Sequence, residues 1–107
     1  MKIKHKTLES AYLEAIEAAK LDYYNEYNYG INVYYHKNNR KHWYEISGLQ
    51  QKNCFDIDNK NDYVMGFVNC YQFDENNDED LCYYDSLIND ASDVCNRWFE
   101  DYKYLIS

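Results

Sequence analysis

Ile31-Asn32-Val33-Tyr34-Tyr35-His36 alternates, Asn38-Asn39-Arg40-Lys41 supplies turn-forming residues, and His42-Trp43-Tyr44-Glu45-Ile46 returns to extended character. A period of two on both sides of a polar turn predicts a β-hairpin. Upstream, Leu8, Tyr12, Ala15, Ile16, Ala19 and Tyr23 recur at the helical period, with Glu9, Glu17, Lys20 and Tyr24 off the stripe. This predicts a helix from about Thr7 to Asn28, with Thr7 as its N-cap, Glu9 favoured by the dipole and Gly30 as its stop signal. Downstream, Cys54-Phe55-Asp56-Ile57-Asp58 alternates again, Asn59-Lys60-Asn61-Asp62 turns, and Tyr63 to Phe73 forms the return strand of a second hairpin. Gly66 inside that strand marks a bulge or a close backbone approach.

An acidic link, Asp74-Glu75-Asn76-Asn77-Asp78-Glu79-Asp80, leads into the strongest helical signal. Leu81, Tyr84, Ile88, Ala91, Cys95, Trp98, Tyr102 and Leu105 form its apolar stripe, widened by Leu87 and Val94. The order α-β-β-β-β-α predicts one α+β domain over residues 1–107, a four-stranded antiparallel sheet with the N- and C-terminal amphipathic helices packed on it.

The chain has 107 residues and a formal charge of -8, and 46% of it is hydrophobic, an ordinary share for a folded protein. Residues 1–52 contain eight cations and six acids, a sum of +2, so residues 53–107 carry -10. Such a balance argues against direct nucleic-acid binding, which needs a Lys/Arg footprint, and for a partner of opposite sign. The basic start, Met1 to Lys6, runs into a polar, Ala-rich segment without the apolar core of a signal peptide, and no apolar run reaches membrane-spanning length. A soluble, cytoplasmic protein is expected, with Cys54, Cys70, Cys82 and Cys95 reduced. The 14 Tyr and absent Pro follow from AT-rich codon usage alone, but codon usage does not place the charges.

The acids of the link and last helix have two readings. Acids at a helix start satisfy the dipole, which accounts for Asp78, Glu79 and Asp80; it accounts less well for Asp85, Asp90 and Asp93, and badly for Glu100 and Asp101, since acids in a last turn oppose the dipole. Alternatively, carboxylates three, four or seven positions apart lie roughly 5 to 11 Å apart on a helix, overlapping phosphate spacings along a strand. Only Arg97 and Lys103 interrupt that array. Exposed tyrosines would strengthen such a contact, with Tyr83 and the Tyr34/Tyr44 region as anchors.

Other chemistry finds less support. Asp74, Asn76, Asp78, Asp80 and Asp85 fit an EF-hand spacing, but Glu79 stands where that loop needs Gly and Asp85 is shorter than the usual Glu. The cysteines lack paired zinc spacing; Cys95 sits on the apolar stripe and Cys82 nearer the polar side. His36 and His42 flank the first turn and could approach one another. With three Gly and no nucleophile, phosphate or zinc-hydrolase motif, no catalytic residue, metal ligand or cofactor is expected.

By size, acidity and composition, and not by any motif, the chain resembles the small inhibitors that phages and plasmids direct against host defence nucleases, anti-CRISPR proteins among them. That resemblance implies a non-enzymatic inhibitor bound to a basic, nucleic-acid-binding protein such as a CRISPR effector or other defence nuclease. Its partner-binding residues would be Asp74, Glu75, Asp78, Glu79, Asp80, Tyr83, Asp85, Asp90, Asp93, Glu100 and Asp101. An immunity protein covering a basic nuclease toxin fits the same charge and steering. A homodimer or scaffold joined through aromatic residues would tolerate loss of the acids.

Overall fold

A computed structural model describes residues 3–21, 29–51 and 62–106. Helix α1 (Leu8–Ala18) begins as expected: Thr7 is extended, with φ -124° and ψ 150°, and its hydroxyl accepts from the Ser10 N–H. It ends well short of Asn28. Lys20–Leu21 (β1) instead pairs in parallel with Tyr71–Gln72 (β6). The Tyr71 N–H donates to the Ala19 carbonyl at 3.0 Å and the Tyr71 hydroxyl to the Ile16 carbonyl at 3.0 Å, so strand pairing claims the carbonyls at the helix end and overrides the local periodicity.

The first hairpin is β2 (Tyr29–Asn38) and β3 (Lys41–Ile46), in register from Val33↔Ile46 to Asn38↔Lys41. Asn39 at the turn takes φ 58°, a conformation Asn tolerates through its short polar side chain. Strands β4 (Gln50–Gln51) and β5 (Asp62–Asn69) complete a four-stranded antiparallel sheet. Gly30 pairs with both Gln50 and Asn69, and Tyr35 with both Tyr44 and Tyr63, so β3 and β4 follow one another along one edge of β2 while β5 takes the other. Gly30 therefore lies inside a central strand and is not a helix stop. The strand expected at Cys54–Asp58 lies outside the described residues, as do Tyr23 and Tyr24.

Alternation fixes the two sheet faces. Ile31, Val33 and Tyr35 of β2, Tyr44 of β3 and Val68 of β5 are buried with Leu8, Tyr12, Ala15 and Ile16 of α1. Asn32, Tyr34 and Glu45 are buried on the opposite side. Met65 is the extra residue of a bulge, since Val33 pairs with Gly66 and Tyr34 with Val64. In the N-terminal arm, His5 exchanges two backbone hydrogen bonds with Tyr44 at 2.8 Å, and Lys4 sits over the Trp43 ring at 4.4 Å.

The C-terminal helical segment is two helices, α2 (Asp78–Asn89) and α3 (Ala91–Ile106), and not one. They divide at Asp90, where two weak helix formers, Asn89 and Asp90, adjoin. Hydrogen bonds from Asp90 N–H to the Ser86 carbonyl and from Val94 N–H to the Asp90 carbonyl, both 2.9 Å, retain helical spacing across the junction. Ala91 and Cys95 are buried, and Trp98 meets Tyr12 edge-on with centroids 5.2 Å apart. Leu81, expected on the apolar stripe, is exposed: it lies in the first turn of α2, before partly buried Tyr84 and Ile88 of the same stripe reach the core. Among the described residues no helix is long and apolar enough to cross a membrane.

Ser47 holds the corner between β3 and β4. Its hydroxyl accepts from the Asn32 N–H at 2.9 Å, and its own N–H donates to the Asn32 carbonyl at 2.9 Å. Ser47→Ala would leave the N–H of the fully buried Asn32 without its acceptor, so a loss of about 1–3 kcal/mol is expected. The urea midpoint checks this: a midpoint equal to that of the wild type would mean that the hydroxyl is dispensable.

Candidate partner-binding surface

Helix α2 starts from a self-contained cap. Asn77 accepts from Glu79 N–H at 2.9 Å and Asp80 N–H at 3.1 Å. In the link before it, Asp74 Oδ1 accepts from Asn76 N–H and Asp80 Oδ2 from Asp74 N–H, both at 2.9 Å. These carboxylates order the loop. Among the described residues, no group of three or more His, Cys, Asp and Glu is placed to hold a metal ion. An open cleft of about 370 Å³ adjoins the link, lined by Gln72, Phe73, Asp74, Glu75 and Asn76.

Asp74, Glu75, Asp78, Glu79, Asp85, Asp90, Asp93, Glu100 and Asp101 are all exposed, and Asp80 is half-buried. Several have work within the fold. Asp78, Glu79 and Asp80 occupy the first turn of α2, and the division at Asp90 puts Asp93 in the first turn of α3, where the dipole favours it. Glu100 and Asp101 do not lie in the last turn, because α3 runs on to Ile106 and carries Lys103 there. Glu100 pairs with Lys103 at 2.9 Å, an exposed pair of little energetic weight. Glu100 and Asp101, expected to oppose the dipole of a last turn, therefore do not. Glu75, Asp85, Asp90 and Asp101 remain, their carboxylates engaging no cation or hydrogen-bond donor among the described residues.

Three large side chains among these acids in the sequence are exposed: Leu81 is 36% exposed, Tyr83 49% and Phe99 41%. Tyr83 stays available as an anchor. Tyr34 and Tyr44 do not, since both are buried, on opposite faces of the sheet. His36 and His42 likewise fall on opposite faces: His36 stacks on Trp43, with centroids 5.5 Å apart, while His42 lies beside Tyr35. Cys95 is buried, and burial foremost, then Glu9, pushes its thiol up to about 11, whereas Cys82 is exposed.

A cluster of residues distant in sequence ties this surface to α1. Glu17 accepts from the Tyr84 hydroxyl and pairs with Lys20 at 2.7 Å, while Lys20 lies over the rings of Phe73 at 4.3 Å and Tyr84 at 4.1 Å. Hydrogen bonding from Lys20, then from Tyr84, holds the Glu17 carboxyl below its ordinary value. Helix α2 contains no fully buried residue; it is attached through partly buried Tyr84, Leu87 and Ile88 against the core, through this cluster and through the Tyr71–Tyr83 contact. No family model matches the chain, and no curated protein or solved structure is similar to it.

Proposed function

We propose that the chain is a cytoplasmic, non-catalytic inhibitor of the kind carried by phages and mobile elements. Helices α2 and α3 occupy the Lys/Arg groove in which a nuclease or other DNA/RNA-handling protein holds its nucleic acid, with a CRISPR effector as one such target. The supporting observation is the set of exposed acids whose carboxylates engage no cation or hydrogen-bond donor among the described residues, Glu75, Asp85, Asp90 and Asp101, on the same segment of chain as exposed Leu81, Tyr83 and Phe99. Carboxylates held at this density accelerate association with a basic groove, and the apolar residues slow dissociation.

The test uses the tagged chain to capture its partner from a lysate of the cells that carry its gene. The captured protein is then challenged with salt and with short duplex DNA or RNA. A nucleic-acid-binding protein released by both is expected. Glu75→Lys, Asp85→Lys and Asp101→Lys together are expected to weaken that complex about 100-fold while leaving circular dichroism and melting unchanged. A complex indifferent to salt, competing nucleic acid and the triple reversal would overturn the reading. A captured toxin neutralised without competition from nucleic acid would point instead to immunity.

A further inference from the structure

Tyr83 has a geometry that the acids around it make specific. Its ring meets Tyr71 with centroids 5.4 Å apart and planes at 65°, and Tyr71 is itself anchored by its hydroxyl on the Ile16 carbonyl. The Tyr83 ring is therefore braced from below while about half of it is exposed. Glu79 stands one helical turn before it in α2, and Asp90, which caps the end of α2, follows about two turns after it at helical spacing. Both are exposed and neither engages a cation among the described residues. A planar guanidinium can lie flat on such a ring and direct its N–H edges to the carboxylates, whereas a compact ammonium offers no plane to stack. A ring already braced loses little freedom when it is covered.

We infer that Tyr83, flanked by Glu79 and Asp90, receives an arginine side chain of the basic partner, so that this helix face selects arginine over lysine. The inference rests on the acidic surface being the partner-binding one. Its test uses the full chain with two probes, an all-arginine and an all-lysine nonapeptide, titrated at physiological salt. The wild type is expected to bind the arginine peptide about fivefold more tightly. Tyr83→Leu is expected to remove that preference while leaving the lysine peptide unaffected, and Tyr83→Phe, which keeps the ring, to retain it. Equal binding of the two peptides, or a preference that survives Tyr83→Leu, would overturn the arginine site alone. If neither peptide binds, the acidic-surface reading falls and the arginine site with it.

Discussion

Placing valine at Gly66 is expected to cost more than about 3 kcal/mol of folding stability, a large share of the roughly 5–15 kcal/mol a domain possesses. A Cβ at this position would overlap the Cδ2, Cε2 and Cζ2 atoms of the Trp98 indole, which lies directly on the strand backbone. The indole has little room to withdraw, because Tyr12 meets it edge-on. The strand is equally constrained, since the bulge at Met65 seats a fully buried side chain in the core immediately before Gly66. Gly48→Ala is the matched control: a Cβ there meets nothing within 4 Å, and stability should stay level or rise slightly. Urea midpoints of the two variants decide the matter. Combining Gly66→Ala with Trp98→Leu should recover part of the loss, because the two sites share one contact and their effects cannot add. A Gly66→Val protein as stable as the wild type would mean that α3 does not seat on β5 through this contact.

The elements that were legible in the sequence are those whose signal is local. The period of two in residues 31–46 and the Asn38–Lys41 turn locate the hairpin and its register because neighbouring side chains decide both. Thr7 announces its own cap, and Gly66 marks both a close approach, under the Trp98 indole, and the position next to a bulge, whose extra residue is Met65. What was illegible depends on contacts distant along the chain. Nothing near Lys20 reveals that Tyr71 would draw residues 20 and 21 into a parallel pair, or that Glu17 would meet Tyr84 from a helix 67 positions away. The acids were visible as a group, but their division was not. That Asp93 opens a helix depends on the junction at Asp90, and that Asp80 secures a loop depends on the fold of residues 74–80.

The buried tyrosines make a second expectation large. Raising the pH through about 10 to 12 should unfold the protein in one cooperative step driven by phenol ionisation. Tyr12, Tyr35, Tyr44 and Tyr71 are buried, and burial is the foremost cause raising each of them above the ordinary value of 10.0. Secondary contributions come from Cys95 at Tyr12, Tyr63 at Tyr35, Tyr35 at Tyr44 and Glu17 at Tyr71. Because the folded state holds these protons more tightly than the unfolded chain, their contribution is complete below pH 10 and is lost as the pH rises toward the folded values. Each group that releases its proton only on unfolding lowers stability by about 1.4 kcal/mol per pH unit, so four together give about 5.5 kcal/mol per unit. The buried Cys95 thiol adds to this between its ordinary 9.0 and about 11. A cooperative step in tyrosinate absorbance from these four phenols should therefore coincide with the loss of far-ultraviolet circular dichroism over a narrow interval. Tyr12→Phe with Tyr44→Phe retains both rings and removes two of the four phenol protons, which should halve the tyrosine part of the slope and move the midpoint upward. A gradual rise in tyrosinate with unchanged circular dichroism would show that these phenols ionise within the folded protein, and that their burial does not couple stability to pH.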